Sequence, residues 1–273
     1  MLNIKALRFF TVLPYLVTLA VTAQNLQLKG EIQQGGLIIG KTLPKSKVTL
    51  DNENLMLSPD GDFVFGFSRD ENKTHTLIVK HPNGKVITKT LKPKAQSYNI
   101  QRVEGIAKKI MNPDPESVKR AKKDAEQVYL ARNHVSKRVD FANGFIAPAK
   151  GTITGVYGSQ RFYNGKPGRP HYGLDYAGPT GTPVTAPASG VVTLYVPDMF
   201  YSGGTMIIDH GHGVTSTFLH LSDSYVKEGD VVEKGEKVAA MGATGRVTGP
   251  HLDWRINWKH VKLDPALALK VFE

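Results

Sequence analysis

The chain contains no cysteine. That excludes disulfides, thiolate metal sites and lipid attachment through an N-terminal cysteine. Stability must therefore come from burial of an apolar core. Acidic residues are also scarce, 24 Asp and Glu against 35 Lys and Arg, for a formal net charge of +11. Such a surface favours anionic partners; charge alone admits nucleic acid, membrane surface or an acidic polymer. Missing too is an apolar run of the ~20 residues that a membrane-spanning helix needs. The nearest approach, FFTVLPYLVTLAVTA from Phe9 to Ala23, is shorter and contains Pro14. It follows Lys5 and Arg8, and Val21 and Ala23 suit the small positions before a cleavage point. Residues 1–23 therefore read as a secretory signal peptide. Its removal takes Lys5 and Arg8 with it and lowers the charge from +11 to +9. Export, to a periplasm or the extracellular space, removes genomic nucleic acid from the partners and leaves no membrane span after cleavage.

What is present is mostly β pattern. Residues 24–103 hold short alternating runs, such as LQLKGEIQQGGLIIGKT and HTLIVKHPNGKVITKTL, punctuated by Gly35-Gly36, Pro59-Asp60-Gly61 and Pro82-Asn83-Gly84. Strands at roughly 10-residue spacing with turn signals between them predict a small, Ig-like β-sandwich. His75 and His81 in this region have no cluster around them and read as surface residues. A linker follows over 104–137. Within it DPESVKRAKKDAEQVYLARN recurs apolar at Val118, Ala121, Ala125, Val128 and Ala131, a helix with one weakly apolar face. Its many lysines and arginines suggest a solvated connector, ending at His134 beside the negative end of the helix dipole. Residues 138–273 turn to valine-rich segments separated by Gly and Pro, a compact β domain with many loops. The fold class is mainly β, in two domains joined by a short helical linker.

Five residues of the last domain stand out: His171 and Asp175 as H-x-x-x-D, His220 in FLHLS, and His251 and Asp253 as H-x-D. In extended chain, positions two or four apart share a face, so each pair can converge, and Gly173 leaves room between the first two. With no thiolate available, a metal site would combine imidazole and carboxylate, a set that suits zinc with an open position for water. By contrast, His210 and His212 in DHGHG read as a turn, and His260 among lysines as exposed.

The surrounding stretches, YGSQRFYNGKPGRPHYGLDYAGPTGTPVTAPASGVV, TSTFLHLS and VKEGDVVEKGEKVAAMGATGRVTGPHLDWRI, resemble the lysostaphin-type zinc metallopeptidases that cut peptidoglycan cross-links. The resemblance covers about residues 147–265 and preserves the order of the family's motifs. It implies a β-rich peptidase domain with a narrow groove and one zinc ion. It also implies His171 and Asp175 as ligands, His220 and His251 as two catalytic histidines that do not bind zinc, and peptidoglycan as substrate. A Gram-negative periplasm with D-alanyl–diaminopimelate cross-links is the expected setting. The stretch VKEGDVVEKGEKVAAMG also looks like the hairpins of lipoyl or biotin carriers, but AAMGATG lacks the lysine such a carrier needs at its tip.

One position departs from the family pattern. The family ends in H-x-H with the second histidine on zinc, and here that place is taken by Asp253. An Asp oxygen binds zinc at ~2.0–2.2 Å, about as imidazole nitrogen does, so Asp253 is expected as the third ligand. A second carboxylate makes the metal a weaker Lewis acid. Arg255, two residues on and on the same strand face, is expected either to pair with Asp253 or sit near the site and restore positive potential, or equally to stand at the rim and touch an anionic substrate. The competing reading is an inactive relative that binds cell wall or activates amidases.

Overall fold

Alternating apolar and polar residues form strands through most of residues 26–104 and 114–272, which a computed structural model describes. The expected signal peptide and residues 105–113 of the expected linker lie outside the described residues. Eight strands come first: β1 (Leu26–Lys29), β2 (Leu37–Thr42), β3 (Lys47–Leu50), β4 (Glu53–Asn54), β5 (Asp62–Gly66), β6 (His75–Lys80), β7 (Val86–Leu91) and β8 (Ile100–Val103). Two antiparallel sheets use seven of them, in the orders β1-β2-β5 and β4-β3-β6-β7. Leu37, Ile38, Phe63, Phe65, Leu77 and Val79 are buried in the core the two sheets share.

Helix α1 (Pro115–Asn133) starts where Asp114 accepts a hydrogen bond from the Ser117 backbone N–H and Pro115 fixes the first turn. It ends at His134, whose backbone is extended. No residue of α1 is buried, yet it is not simply a solvated connector. Val128 and Ala131 pack on Leu194, Met199 and Ile207, and Asp124 accepts from the Phe200 backbone N–H at 2.7 Å. No helix among the described residues is long and apolar enough to cross a membrane.

Twelve further strands follow: β9 (Thr152–Gly155), β10 (Gln160–Tyr163), β11 (Lys166–Pro167), β12 (Leu174–Ala177), β13 (Pro183–Thr185), β14 (Gly190–Met199), β15 (Gly203–Gly211), β16 (Val214–Ser224), β17 (Val231–Val232), β18 (Lys237–Met241), β19 (His251–Trp258) and β20 (Val261–Leu263). A short helix, α2 (Pro265–Leu269), closes the chain. The main sheet runs β17-β14-β15-β16-β19-β12-β9, with β18 on β16 and β20 on β19. Its inner face is apolar: Leu252, Trp254 and Ile256 of β19 are fully buried. The opposite face of β19 is not simply solvated, since Asp253 and Asn257 are buried as well.

The two halves are stitched together. Strand β8 pairs in parallel with β10, Ile100 opposite Gln160 and Val103 opposite Tyr163. The Arg69 guanidinium donates twice to the Gly158 carbonyl, at 2.8 and 3.0 Å, and Asp264 N–H donates to Gly35 O at 2.8 Å.

Three histidine expectations fail. His81 is buried against Ser46 Oγ at 3.0 Å, and His75 is largely covered, paired with Asp51 at 2.6 Å. His210 is fully buried inside β15, its two ring nitrogens engaged by Ser189 O and Ser216 Oγ. His212 does lie in the turn after β15, but its ring is buried against Phe141. The segments that cover these rings come from elsewhere in the chain, and of the four only His210 has both ring nitrogens engaged; one ring nitrogen of each of His75, His81 and His212 is buried without a hydrogen-bond partner. His260 is exposed, as expected, and stacks on Tyr129.

Candidate metal centre

Three adjacent strands and one loop build the centre. Strand β19 lies between β12 and β16, and its register puts Asp253 opposite both Asp175 of β12 and Leu219 of β16. His171 enters from the loop before β12. That loop is held by His171 N–H on Ser159 O and by Gly158 N–H on His171 O, both at 2.8 Å. His171, Asp175 and Asp253 each offer a ligand atom, and these atoms lie within 4.8 Å of one another. Two glycines make the space. A Cβ on Gly155 would overlap the Asp175 carboxylate, and one on Gly173 would overlap that of Asp253.

His171 Nε2 and Asp175 Oδ1 lie 3.1 Å apart, within ion-pair distance. Their alignment does not make a hydrogen bond, and both atoms are buried without a partner. Two orphaned atoms, an imidazole nitrogen and a carboxylate oxygen, converging beside the second carboxylate, Asp253, fit a divalent cation. One imidazole and two carboxylates are a donor set that zinc accepts. Burial alone would lower the His171 pKa; the Asp175 and Asp253 carboxylates outweigh it and hold the ring above its ordinary 6.5.

Asp253 has a second claimant. Arg255 Nε donates to its Oδ1 at 3.0 Å and its Oδ2 at 3.1 Å, and Nη2 donates to Oδ2. Burial would raise the Asp253 pKa, but the Arg255 charge wins and holds it below the usual carboxylate value. The same pairing raises Arg255 against its own burial.

The rings of His220 and His251 lie beside each other, centroids 4.8 Å apart and planes at 47°. His220 has left-handed backbone, φ 66°, at a point where its N–H bonds Ser202 O rather than the sheet. Each ring pairs Nδ1 with a carbonyl, His220 with Thr244 O and His251 with Gly249 O, both at 2.9 Å. Those bonds require the proton on Nδ1, which leaves an acceptor lone pair on Nε2 of both neutral rings. Burial lowers the His220 pKa below 6.5, with the Thr244 carbonyl and Asp253 opposing only in part.

A groove of about 540 Å³ opens on this centre, lined by His171, Asp175 and Arg255 together with Asn99 and Gln101 from the N-terminal half. The five residues singled out by motif thus fall into one metal-capable triad and one histidine pair. Sequence reasoning missed Gly155, Thr244 and Arg132. Gly155 and Thr244 act through cross-strand and loop neighbours that carry no local signal. Arg132 lies on the linker helix, yet its Nη2 donates to Thr217 Oγ1 at 2.7 Å, beside Arg255.

Residues 169–265 match the model of Peptidase family M23. The peptidoglycan DD-endopeptidase ShyA of Vibrio cholerae is 42% identical over 87 residues, 32% of this chain and 20% of that protein. The DD-carboxypeptidase/endopeptidase Mpg of Neisseria meningitidis is 45% identical over 95 residues, 34% of this chain and 22% of that protein. The alignments span about a fifth of the length of these curated relatives. A crystal structure assigned to peptidase M23 from Pseudomonas aeruginosa superposes with a TM-score of 0.68 at 26% identity, covering 89% of this chain and 96% of that one.

Proposed function

We propose that residues 169–265, which match peptidase family M23, form a lysostaphin-type metallopeptidase domain, and that the chain is an exported zinc endopeptidase hydrolysing peptide cross-links of bacterial peptidoglycan. The observation that carries this reading is the convergence of His171, Asp175 and Asp253 next to the His220–His251 pair. His171, Asp175 and Asp253 would hold the ion. When bound, zinc supplies Lewis acidity and brings the pKa of a water to ~7.

The rest of the chemistry belongs to the two rings. A neutral His220 or His251 accepts the attacking water's proton at Nε2, because its Nδ1–H is already given to a carbonyl. The ring that has taken the proton is an imidazolium with two donors. Its Nε2–H can steady a developing oxyanion or pass to the leaving amine. Burial of His220 keeps the neutral, proton-accepting form at neutral pH. The excess of basic residues agrees with a substrate rich in carboxylates. Localisation in a periplasm or outside the cell follows from such a substrate.

Mass spectrometry of fragments released from defined peptidoglycan, with and without chelator, tests the reading. Release of cross-linked peptides that chelator abolishes and Asp253→Ala reduces is expected. A zinc-loaded protein that releases nothing would overturn it. A second reading, a non-catalytic wall-binding or amidase-activating protein, draws on the Arg255–Asp253 pair, which occupies a ligand carboxylate without metal. Purified protein that takes up no zinc would favour it.

A further inference from the structure

A second groove, of about 1050 Å³, lies between α1 and the main sheet. It adjoins the first, because Arg169, Pro170 and Arg255 line both. Its charge is lopsided. Lys122, Arg132, Arg169, Arg255 and Lys262 line it, and the one acid in the lining, Asp124, is engaged by the Phe200 N–H. Arg255 is matched by Asp253. The remaining cations have no carboxylate of their own among the described contacts.

The crowding is visible in individual groups. Arg132 Nη2 bonds Thr217 Oγ1, while its Nε is shielded from solvent with no acceptor at all. Burial, and next the Arg255 charge, push the Arg132 pKa down to about 10. The Lys262 ammonium sits 3.9 Å above the Tyr172 ring, and burial together with Arg255, Arg169 and Arg132 lowers its pKa. Gathering like charges in a half-buried groove is unfavourable unless an anion joins them. The planar guanidinium fork suits a carboxylate.

We propose that this groove binds a free carboxylate of the peptide substrate through Arg132, Arg169 and Lys262, and so fixes which side of the scissile amide enters the metal centre. The inference rests on the peptidase reading above. Arg132 is a linker-helix residue, so the helix supplies a specificity contact as well as a connection. Entry from the first groove passes Arg169 and Arg255, which places the anchored carboxylate close to the bond that is cut.

The test uses the full mature protein loaded with zinc and two cross-linked stem peptides that differ only in a carboxylate or a carboxamide beside the scissile amide. The wild type should show a KM about tenfold lower for the carboxylate, the size of one charge-assisted contact. Arg132→Gln and Lys262→Gln should bring the ratio near one, and Arg132→Lys should restore part of it. Zinc content and melting temperature report whether each variant is folded, and the exposed Arg169→Gln serves if Arg132→Gln is not. An unchanged ratio in folded variants, or no preference in the wild type, overturns the proposal and leaves Arg132 a structural tie. If neither peptide is cleaved, calorimetric binding of the same pair decides: a carboxylate preference lost in the variants upholds the groove while the peptidase reading falls, and equal binding overturns the groove too.

Discussion

Asp175 and Asp253 stand directly opposite each other on neighbouring antiparallel strands. Like charges in that position repel, since directly opposed Cβ atoms are only about 4.5–5.5 Å apart. Both carboxylates are largely shielded, so water does little to relieve them. Arg255 offsets one of them, and a divalent cation would offset both. Zinc should therefore raise the melting temperature and chelator should lower it again. At a hundredfold excess over Kd the gain is about 2.7 kcal/mol, a shift of several degrees in a thermal melt. A melt insensitive to zinc would remove the triad as a metal site.

Arg255→Met should act in two directions. Loss of a cation that competes for Asp253 tightens zinc binding, by roughly tenfold if one charge-assisted contact is relieved. Without metal, Asp253 is left buried and unpaired, at a cost of about 3–5 kcal/mol. Turnover should fall, because two carboxylates without a neighbouring positive charge weaken the metal as a Lewis acid. Chelator titration, melting and peptide release measured on one preparation separate these effects; unchanged values in all three would deny Arg255 any part in the centre.

Gly155→Ala and Gly173→Ala should each abolish zinc uptake. Each added methyl falls on a carboxylate that the site needs, Asp175 in the first case and Asp253 in the second. Neither glycine has the left-handed backbone that would strain a side chain, so far-ultraviolet circular dichroism should stay native while zinc content drops. Retained stoichiometric zinc in both would refute the geometry.

His171 and His220 should separate with pH. In the metal-free protein the His171 pKa lies above 6.5, so its contribution to stability is fully present below 6.5 and is lost as pH rises through the raised value. Zinc needs the neutral ring, so affinity should already weaken as pH falls through that same value. His220 behaves oppositely: its stability contribution is present above 6.5 and is lost as pH falls through its lowered value. The acid limb of turnover at saturating zinc should therefore lie below pH 6.5, and a nearby cation pushes it the same way. His220→Ala should cut turnover by at least about a hundredfold while sparing zinc. Metal loss in that variant would make His220 a ligand.

The strand pattern in HLDWRIN was legible because period-two alternation is local: Leu252, Trp254 and Ile256 form the buried inner face. The H-x-D pair of β19 was legible for the same reason, whereas His171 enters from the loop before β12, outside that period. What covers a residue was not. His81, read as a surface residue, and His210, read as part of a turn, are both buried by groups distant in sequence. The parallel pairing of β8 with β10 joins segments about sixty residues apart, and nothing in either tetrapeptide announces the other. Arg132 reaches Thr217 across 85 positions, so a helix that looked like a tether proves to be a wall of a groove.

The β8–β10 ladder and the Arg69 clasp on Gly158 bear on how the protein can be divided. Every candidate ligand and both histidines lie after residue 138, so a fragment starting there would look chemically whole. It would nevertheless lack Asn99 and Gln101, which face the metal centre, and Arg132, which faces the second groove. The loop carrying His171 would lose the outside support of Arg69. On the proposed reading, substrate choice would belong to the joined chain, and a fragment's preferences would describe a different, wider cleft.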